Sequence, residues 1–429
     1  MTDNANFILT GGRVIDPIRK IDEVMDIGVA DGVLTTPEKV KKPTTVNVKG
    51  LVVTPGLIDM HVHLREPGNT AAETIRTGTM AAAAGGFTSI VSMPNTKPAA
   101  DNAGTIDYIL RNAKESGIIR VLPCGAMTKD VEGLEMAGIG SLKKAGVVAL
   151  SDDGHCVQNH DLMRHIVEYS KSFGLPILDH CEEKTLVNDG VMHEGKWSVL
   201  LGMRGISSAA EELIVARDII LAREIGWKIH LQHLSTLEAV EMVRTARARG
   251  IPVSAEATPH HIALTDEMLK HYDANYKMNP PLRSEEDRQA VIAGLRDGTI
   301  TVIATDHAPH TETAKLVEFD YAPFGIIGLE TAVPVCLTEL YHTGILSLSD
   351  LIAKFTAGPA DVLGMKIGTL AEAQPADITI IDPDREYVID KNLFFSKSRN
   401  TPFHGRKVKG KVMTTICGGK FVYNIMRKK

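Results

Sequence analysis

At 429 residues the chain exceeds one ordinary domain, and a 44% hydrophobic content gives it enough apolar residues for a sizeable soluble core. A formal net charge of −6 gives no electrostatic reason to expect nucleic-acid binding, although local arginines can still receive an anionic substrate. The five cysteines, Cys124, Cys156, Cys181, Cys336 and Cys417, are odd in number and form no Cys-x-x-Cys pair, a poor disulfide framework that suits a reducing compartment.

In chain order, the polar start Met1-Thr2-Asp3-Asn4 lacks the basic-then-apolar order of a signal peptide. Residues 6–9 and 25–30 read as short strands, with Asp31-Gly32 as a hairpin turn signal. Between about 55 and 365, short β-rich runs alternate with helical stretches. There are eight candidate strands, 52–63, 89–95, 120–127, 147–153, 176–180, 228–233, 252–258 and 301–306, and all but 120–127 end in polar or titratable residues. Helical patterns fall between them, including 71–84, 161–172, 208–224 and 236–249. Eight such units predict an α/β fold, a (β/α)8 TIM barrel whose reactive groups sit at the C-terminal strand ends. A doubly wound open sheet fits less well, because no Gly-rich phosphate fingerprint follows the first strand. The apolar stretch 80–93 comes closest to membrane length but carries Gly85-Gly86, so no span is expected and the protein is expected in the cytoplasm. Toward the end, 376–381 alternates like a strand and 412–417 meets 420–423 across Gly418-Gly419. Neither end can make a good core alone. They are expected to pack together as a small β-sandwich-like domain, 1–54 with 366–429, beside a catalytic barrel of 55–365.

The apolar run 51–58 closes on Asp59-Met60-His61-Val62-His63-Leu64-Arg65-Glu66. Alternation along a strand points His61 and His63 the same way, with an arginine two residues on. Taken alone, that pair reads equally well as surface histidines. Reading the strand ends as a ring adds Asp153, His180, His233 and Asp306. Four histidines and two carboxylates at strand termini supply ligands for two divalent metals sharing Asp153. Such a site polarises a carbonyl and makes bound water acidic near neutral pH. Imidazoles with carboxylates and no thiolate suit zinc, with manganese or cobalt as substitutes.

With these residues in place the chain resembles the type I dihydroorotases of the amidohydrolase superfamily. The motifs are PGLIDMHVHLREPG (55–68), SMPNTKP (92–98), LSDDG (150–154), DHCE (179–182), KMNPPLR (277–283), ATDHAPH (304–310) and APFGIIGLET (322–331). The resemblance implies two Zn2+ per chain, one on His61, His63 and Asp306, the other on His180 and His233, with Asp153 bridging. It implies reversible hydrolysis of L-dihydroorotate to N-carbamoyl-L-aspartate in pyrimidine (UMP) biosynthesis, with Asp306 moving the proton. Asp306 acting only as a ligand is the plainer alternative. Substrate contacts are implied for His63, Leu64, Arg65, Asn95, Asn279, His310, Phe324 and Gly325, with Arg65 pairing with the substrate carboxylate. Turn chemistry is the competing account of Asn95 and Asn279, each beside prolines. A homodimer is expected, and association with aspartate transcarbamoylase stays open.

The stretch 308–325 lacks periodicity and is long for a barrel loop, as lids are. His260-His261 reads as structural, and His155-Cys156 as loop variation or a competing ligand. Hydantoinases, dihydropyrimidinases and allantoinases share this barrel but usually bridge their metals with a carboxylated lysine on the fourth strand. Here that strand, 147–153, has no lysine, and Lys143-Lys144 precede it. A non-catalytic scaffold of the same fold would have lost metal ligands, whereas all six are present.

Overall fold

The computed structural model describes residues 6–426. Eight parallel strands follow one another in chain order around a single sheet. They are β1 (Leu57–Val62), β2 (Phe87–Ser92), β3 (Arg120–Ala126), β4 (Ala149–Ser151), β5 (Ile177–Asp179), β6 (Ile229–Leu231), β7 (Val253–Ala257) and β8 (Val302–Ile303). Helical crossovers return the chain to each next strand, which lets neighbours in sequence pair in parallel. The sheet closes where the chain beyond β8 meets β1: Val62 bridges His307, and the His63 N–H donates to the His307 carbonyl at 2.9 Å. Deeper in the same seam, the Asp59 carboxylate accepts the Thr305 N–H at 3.1 Å and its hydroxyl at 2.6 Å. Closure removes the sheet edges and defines one mouth at the C-terminal strand ends.

Helix starts are set by side-chain caps. Thr74, Asn159 and Thr236 accept free backbone N–H groups at the first turns of Ile75–Ala84, His160–Ser172 and Leu237–Ala248. The first of these starts at Ile75 rather than at residue 71 because Thr74 is its cap. Inside the barrel, Ile58, Met60, Val91, Leu122, Cys124, Ala149, Leu178 and Val302 form one buried cluster, floored by Ala360, Val362 and Leu363. Strict alternation from Ile58 and Met60 would turn His61 outward. A register irregularity between Asp59 and Val62 changes the phase, so that Val62 and Leu64 join the outer core while His61 and His63 face the mouth.

The predicted strand 52–63 is two strands in two sheets. Val52–Pro55 pairs with Phe7–Asp16 and Ile378–Val388, whereas β1 belongs to the barrel. Gly56 makes the passage: a Cβ there would lie 2.0 Å from the Thr88 hydroxyl oxygen. The second sheet unites the chain ends. Phe7–Asp16, Ile21–Ala30, Val33–Thr35, Thr44–Asn47 and Val52–Pro55 join Ile378–Val388, Lys407–Cys417 and Lys420–Asn424 in eight strands around a core that includes Phe7, Leu9, Val53, Ile378 and Ile416.

Residues 394–403, within the segment 366–429 expected in the small domain, also make contacts to the barrel. They run along the loops at the C-terminal end of the barrel, where polar groups supply their partners. Ser396 and Lys397 bond to Glu73, and the Asn400 amide donates to the carbonyls of Ala308 and Gly325, both at 3.1 Å. Glu330 tethers the same segment by accepting the N–H groups of Phe395 at 2.9 Å and Ser396 at 3.1 Å. Burial outweighs those bonds and pushes its carboxyl from 4.5 up to about 8. A folded value above the unfolded one gives stability that is whole below the unfolded value and is lost as pH rises through about 8. Glu330→Gln keeps the shape without the charge. Its Tm relative to the parent protein is expected to gain more at about pH 8.5 than at about pH 5; equal differences at both would contradict the buried acid.

Candidate active site

The barrel mouth gathers every residue expected to bind metal. His61 and His63 leave the end of β1, Asp153 follows β4, His180 follows β5, His233 follows β6 and Asp306 follows β8. All but His61 lie just beyond strands shorter than the sequence pattern suggests. The chain breaks where His233 (φ 35°) and Asp306 (φ 46°) adopt left-handed backbone, as Arg65 does after β1 (φ 57°). Such conformations are costly for non-glycine residues and turn side chains in directions that a continued strand could not.

Asp153 is the centre of the group. One of its oxygens lies 3.1 Å from His61 Nε2, 3.6 Å from His180 Nδ1 and 3.9 Å from His233 Nε2, and the other lies 3.2 Å from His63 Nε2. Asp306 Oδ1 stands 3.0 Å from His63 Nε2 and 3.4 Å from His61 Nε2. His180 Nδ1 and His233 Nε2 are 2.8 Å apart. Ligand atoms of His61, His63 and Asp306 lie within 4.8 Å of one another, as do those of His61, Asp153 and His233. His61 Nε2 and Asp153 Oδ1 are buried without a hydrogen-bond partner, although they form a close ion-pair contact with each other. Two bare buried polar atoms facing each other from the ends of β1 and β4 fit a divalent cation.

The electrostatics carry the same signature. Burial works against charge on His61, yet the carboxylates of Asp153 and Asp306 raise it well above the ordinary imidazole range. Burial likewise opposes ionisation of Asp306, but His61 and His63 hold it below the usual carboxylate range. His233 goes the other way, down to about 3, through burial and the neighbouring His180 and His61.

A cavity of about 200 Å3 opens above this group, lined by Arg65, Asn95, Asn279, Phe324 and Gly325 together with the ligand residues. Arg65 is anchored by its Nε donating to the Pro309 carbonyl at 3.2 Å. Asn95 does more than turn the chain: it accepts His63 Nδ1–H at 2.9 Å and donates to the Asp153 carbonyl at 3.2 Å. Asn279 donates to Glu182 at 2.5 Å. His310 stands behind this wall, its Nε2 donating to the Phe324 carbonyl at 2.8 Å. Leu64 turns its side chain away from the cavity. Its side chain is 2% exposed and packs outward against Gly78, because the phase change in β1 sends it to the helix layer. It does not line the cavity.

The long loop 308–325 contains a short helix, Glu312–Lys315, and is pinned by two buried lysines. Lys315 donates to the carbonyls of Ala274, Lys277 and Pro323 at 2.7–3.2 Å, and Lys277 to those of Phe319 and Asp320 at 2.8 and 3.0 Å. His261 bonds Thr258 and the Pro280 carbonyl, a structural role. Cys156 is buried against Asp179 and Arg217, away from the mouth, while His155 is exposed. Lys143 and Lys144 are exposed at the end of Ile139–Ala145, so Asp153 holds the position between the histidines without a lysine. The sequence reading missed Glu256, which accepts His61 Nδ1–H at 2.8 Å, and Glu182, which lies 3.6 Å from His180. An acid inside the apolar run of β7 was the one signal for Glu256; nothing in the spacing named its partner.

Residues 50–239 match the family model described as Dihydro-orotase-like. The dihydroorotase of Pelotomaculum thermopropionicum is 50% identical over 418 residues, covering 97% of this chain and 98% of that one. That of Acetivibrio thermocellus is 47% identical over the same 97% and 98% shares. Among solved structures, an L-hydantoinase (dihydropyrimidinase) from Arthrobacter aurescens superposes with a TM-score of 0.87 at 24% identity, covering 98% of this chain and 96% of its own. A dihydropyrimidinase from Brevibacillus agri gives 0.84 at 21%, covering 98% and 95%. At those identities the structural likeness speaks for the barrel and its added sheet alone, while the near-full-length identity to the dihydroorotases speaks for descent. The chain belongs to the dihydroorotase family.

Proposed function

We propose that the protein is a zinc-dependent dihydroorotase that interconverts L-dihydroorotate and N-carbamoyl-L-aspartate in pyrimidine biosynthesis. The observation that carries this reading is an arginine, Arg65, on the wall of a cavity whose floor is the Asp153-centred ligand group. His61, His63 and Asp306 would hold one zinc, His180 and His233 the other, with Asp153 between them. Bound zinc supplies polarisation of the ring carbonyl and acidification of water near neutral pH.

The remaining chemistry belongs to the side chains. Arg65 pairs with the substrate carboxylate and so fixes which ring carbonyl faces the floor. Asn95, Asn279, His310 and the Phe324-Gly325 backbone complete that recognition. Asp306, held ionised beside His61 and His63, accepts the proton of the attacking water and returns it to the departing ring nitrogen. His63, oriented by Asn95, borders both the floor and the substrate space. The hydantoinase reading is disfavoured by the aspartate at the bridging position, and the scaffold reading by the complete ligand set. The proposal includes a cytoplasmic homodimer, with association with aspartate transcarbamoylase left open. Among the described residues, no helix is long and apolar enough to cross a membrane.

Two outcomes test this. Arg65→Ala is expected to lose on the order of 2–4 kcal/mol of transition-state binding, a ~30- to 1,000-fold drop in kcat/KM for dihydroorotate. Slow turnover of dihydrouracil, which has no carboxylate, should largely persist; equal proportional losses on both substrates would show that Arg65 does not read that group. Asp153 is ready-made as an anion, whereas a lysine bridge must first take up carbon dioxide. Zinc reconstitution is therefore expected to need no bicarbonate, and Asp153→Asn to lose the second zinc. Asp152 accepts the N–H groups of Met127 and Thr128 on the opposite side of the chain, so its Asn variant should retain metal better. Reconstitution that fails without bicarbonate would refute the bridge assignment.

A further inference from the structure

We propose that Glu256, with His230 behind it, sets the tautomer of His61 and so fixes Nε2 as the atom that takes a metal ion; this rests on the metal-site reading above. Glu256 sits on β7, fully buried beneath the mouth. Its Oε1 lies 2.8 Å from His61 Nδ1, and its Oε2 lies 3.1 Å from His230 Nε2. An ionised carboxylate only accepts, so each histidine must present an N–H to it. His230 then has an acceptor nitrogen at Nδ1, which meets the Ser254 hydroxyl at 2.8 Å. With both imidazoles neutral, the chain Ser254–His230–Glu256–His61 is satisfied when Ser254 donates to His230 and both histidines donate to Glu256.

The consequence falls on the far side of the His61 ring. Because Nδ1 keeps its proton on Glu256, Nε2 is the nitrogen left to give up a proton or offer a lone pair. That atom is buried, lacks a hydrogen-bond partner, and points between Asp153 and Asp306 at 3.1 and 3.4 Å. A carboxylate on the remote nitrogen also makes an imidazole a more basic ligand. A competing donor shows why the acid is needed: the Gln232 side-chain amide lies 3.1 Å from the same His61 Nδ1. Without Glu256, that amide can donate to Nδ1 and move the ring proton to Nε2, where it blocks a ligand position. Glu256 also accepts the His233 backbone N–H at 3.3 Å, so it steadies a second residue of the metal group. His63 is served differently, by the neutral amide of Asn95. The two histidines of β1 are thus held by partners of unequal strength, with the anionic one on His61.

The test is zinc affinity of the stripped full-length protein, measured by competition with a chromophoric chelator, with the Tm of the metal-free protein as the control for folding. Glu256→Gln keeps the shape, removes the charge and can present an N–H to His61. It is expected to weaken zinc binding about 10- to 100-fold while the metal-free Tm stays near that of the parent. His230→Asn, one residue further from the metal, is expected to weaken binding severalfold in the same direction, and gives a second reading should Glu256→Gln fold poorly. Parent-like zinc affinity in both variants would overturn the tautomer role while leaving the metal site standing. A parent protein that binds no zinc would overturn both.

Discussion

Two carboxylates and four imidazoles share a water-poor space at the barrel mouth, and the rest of the structure depends on how that convergence is tolerated. Removing charged groups from water is expensive unless each finds a partner of opposite sign. Asp153 finds several, through contacts of 3.1–3.9 Å to His61, His63, His180 and His233, yet one of its oxygens and His61 Nε2 still lack a hydrogen bond. A divalent cation resolves that arrangement, satisfying the lone pairs of imidazole and carboxylate together.

Everything beneath the mouth serves to hold these groups in place. The Asp59–Thr305 bonds close the seam between β1 and β8, bringing His61 and His63 against Asp306. The phase change in β1 turns both histidines inward, and the left-handed backbone at His233 and Asp306 aims their side chains across the opening. Local strain of this kind persists only where surrounding structure over-determines it. That support includes the apolar interior from Ile58 to Val302 and the buried acids Glu256 and Glu73. Above the mouth, loop 308–325 is fastened by lysine ammonium groups on backbone carbonyls, and residues 394–403 brace it through Asn400.

Much of this was legible in the sequence because a barrel concentrates chemistry at strand ends. Titratable residues closing apolar runs, as His180 closes 176–180 and Asp306 closes 301–306, marked both the strands and the site in one pattern. The helical patterns 161–172 and 236–249 were legible from their apolar spacing, whereas the caps that start them, Asn159 and Thr236, show only in the structure. What could not be read depended on three-dimensional partners. The division of 52–63 between two sheets follows from the close approach of Gly56 to Thr88, which is distant in sequence. Alternation named the shared face of His61 and His63 correctly but gave no sign of the phase change that separates them from the inward face of Ile58 and Met60. Glu256 and Asn95 act through hydrogen bonds to histidines on β1, and no spacing rule connects them to it. Residues 394–403 have no pattern of their own, since their place is set by Glu73, Glu330 and the carbonyls of the mouth.

The barrel shared with hydantoinases shows that architecture alone leaves the reaction open, and the chemistry lies in which groups occupy the strand ends. The central claim is that the Asp153-centred group works as a pair of metal sites. The most direct measurement strips the protein of metal and follows dihydroorotate hydrolysis against bound zinc as the ion is returned stepwise. Activity should be absent without metal and reach its plateau at about two equivalents per chain. Full turnover by the rigorously metal-free protein would contradict the account.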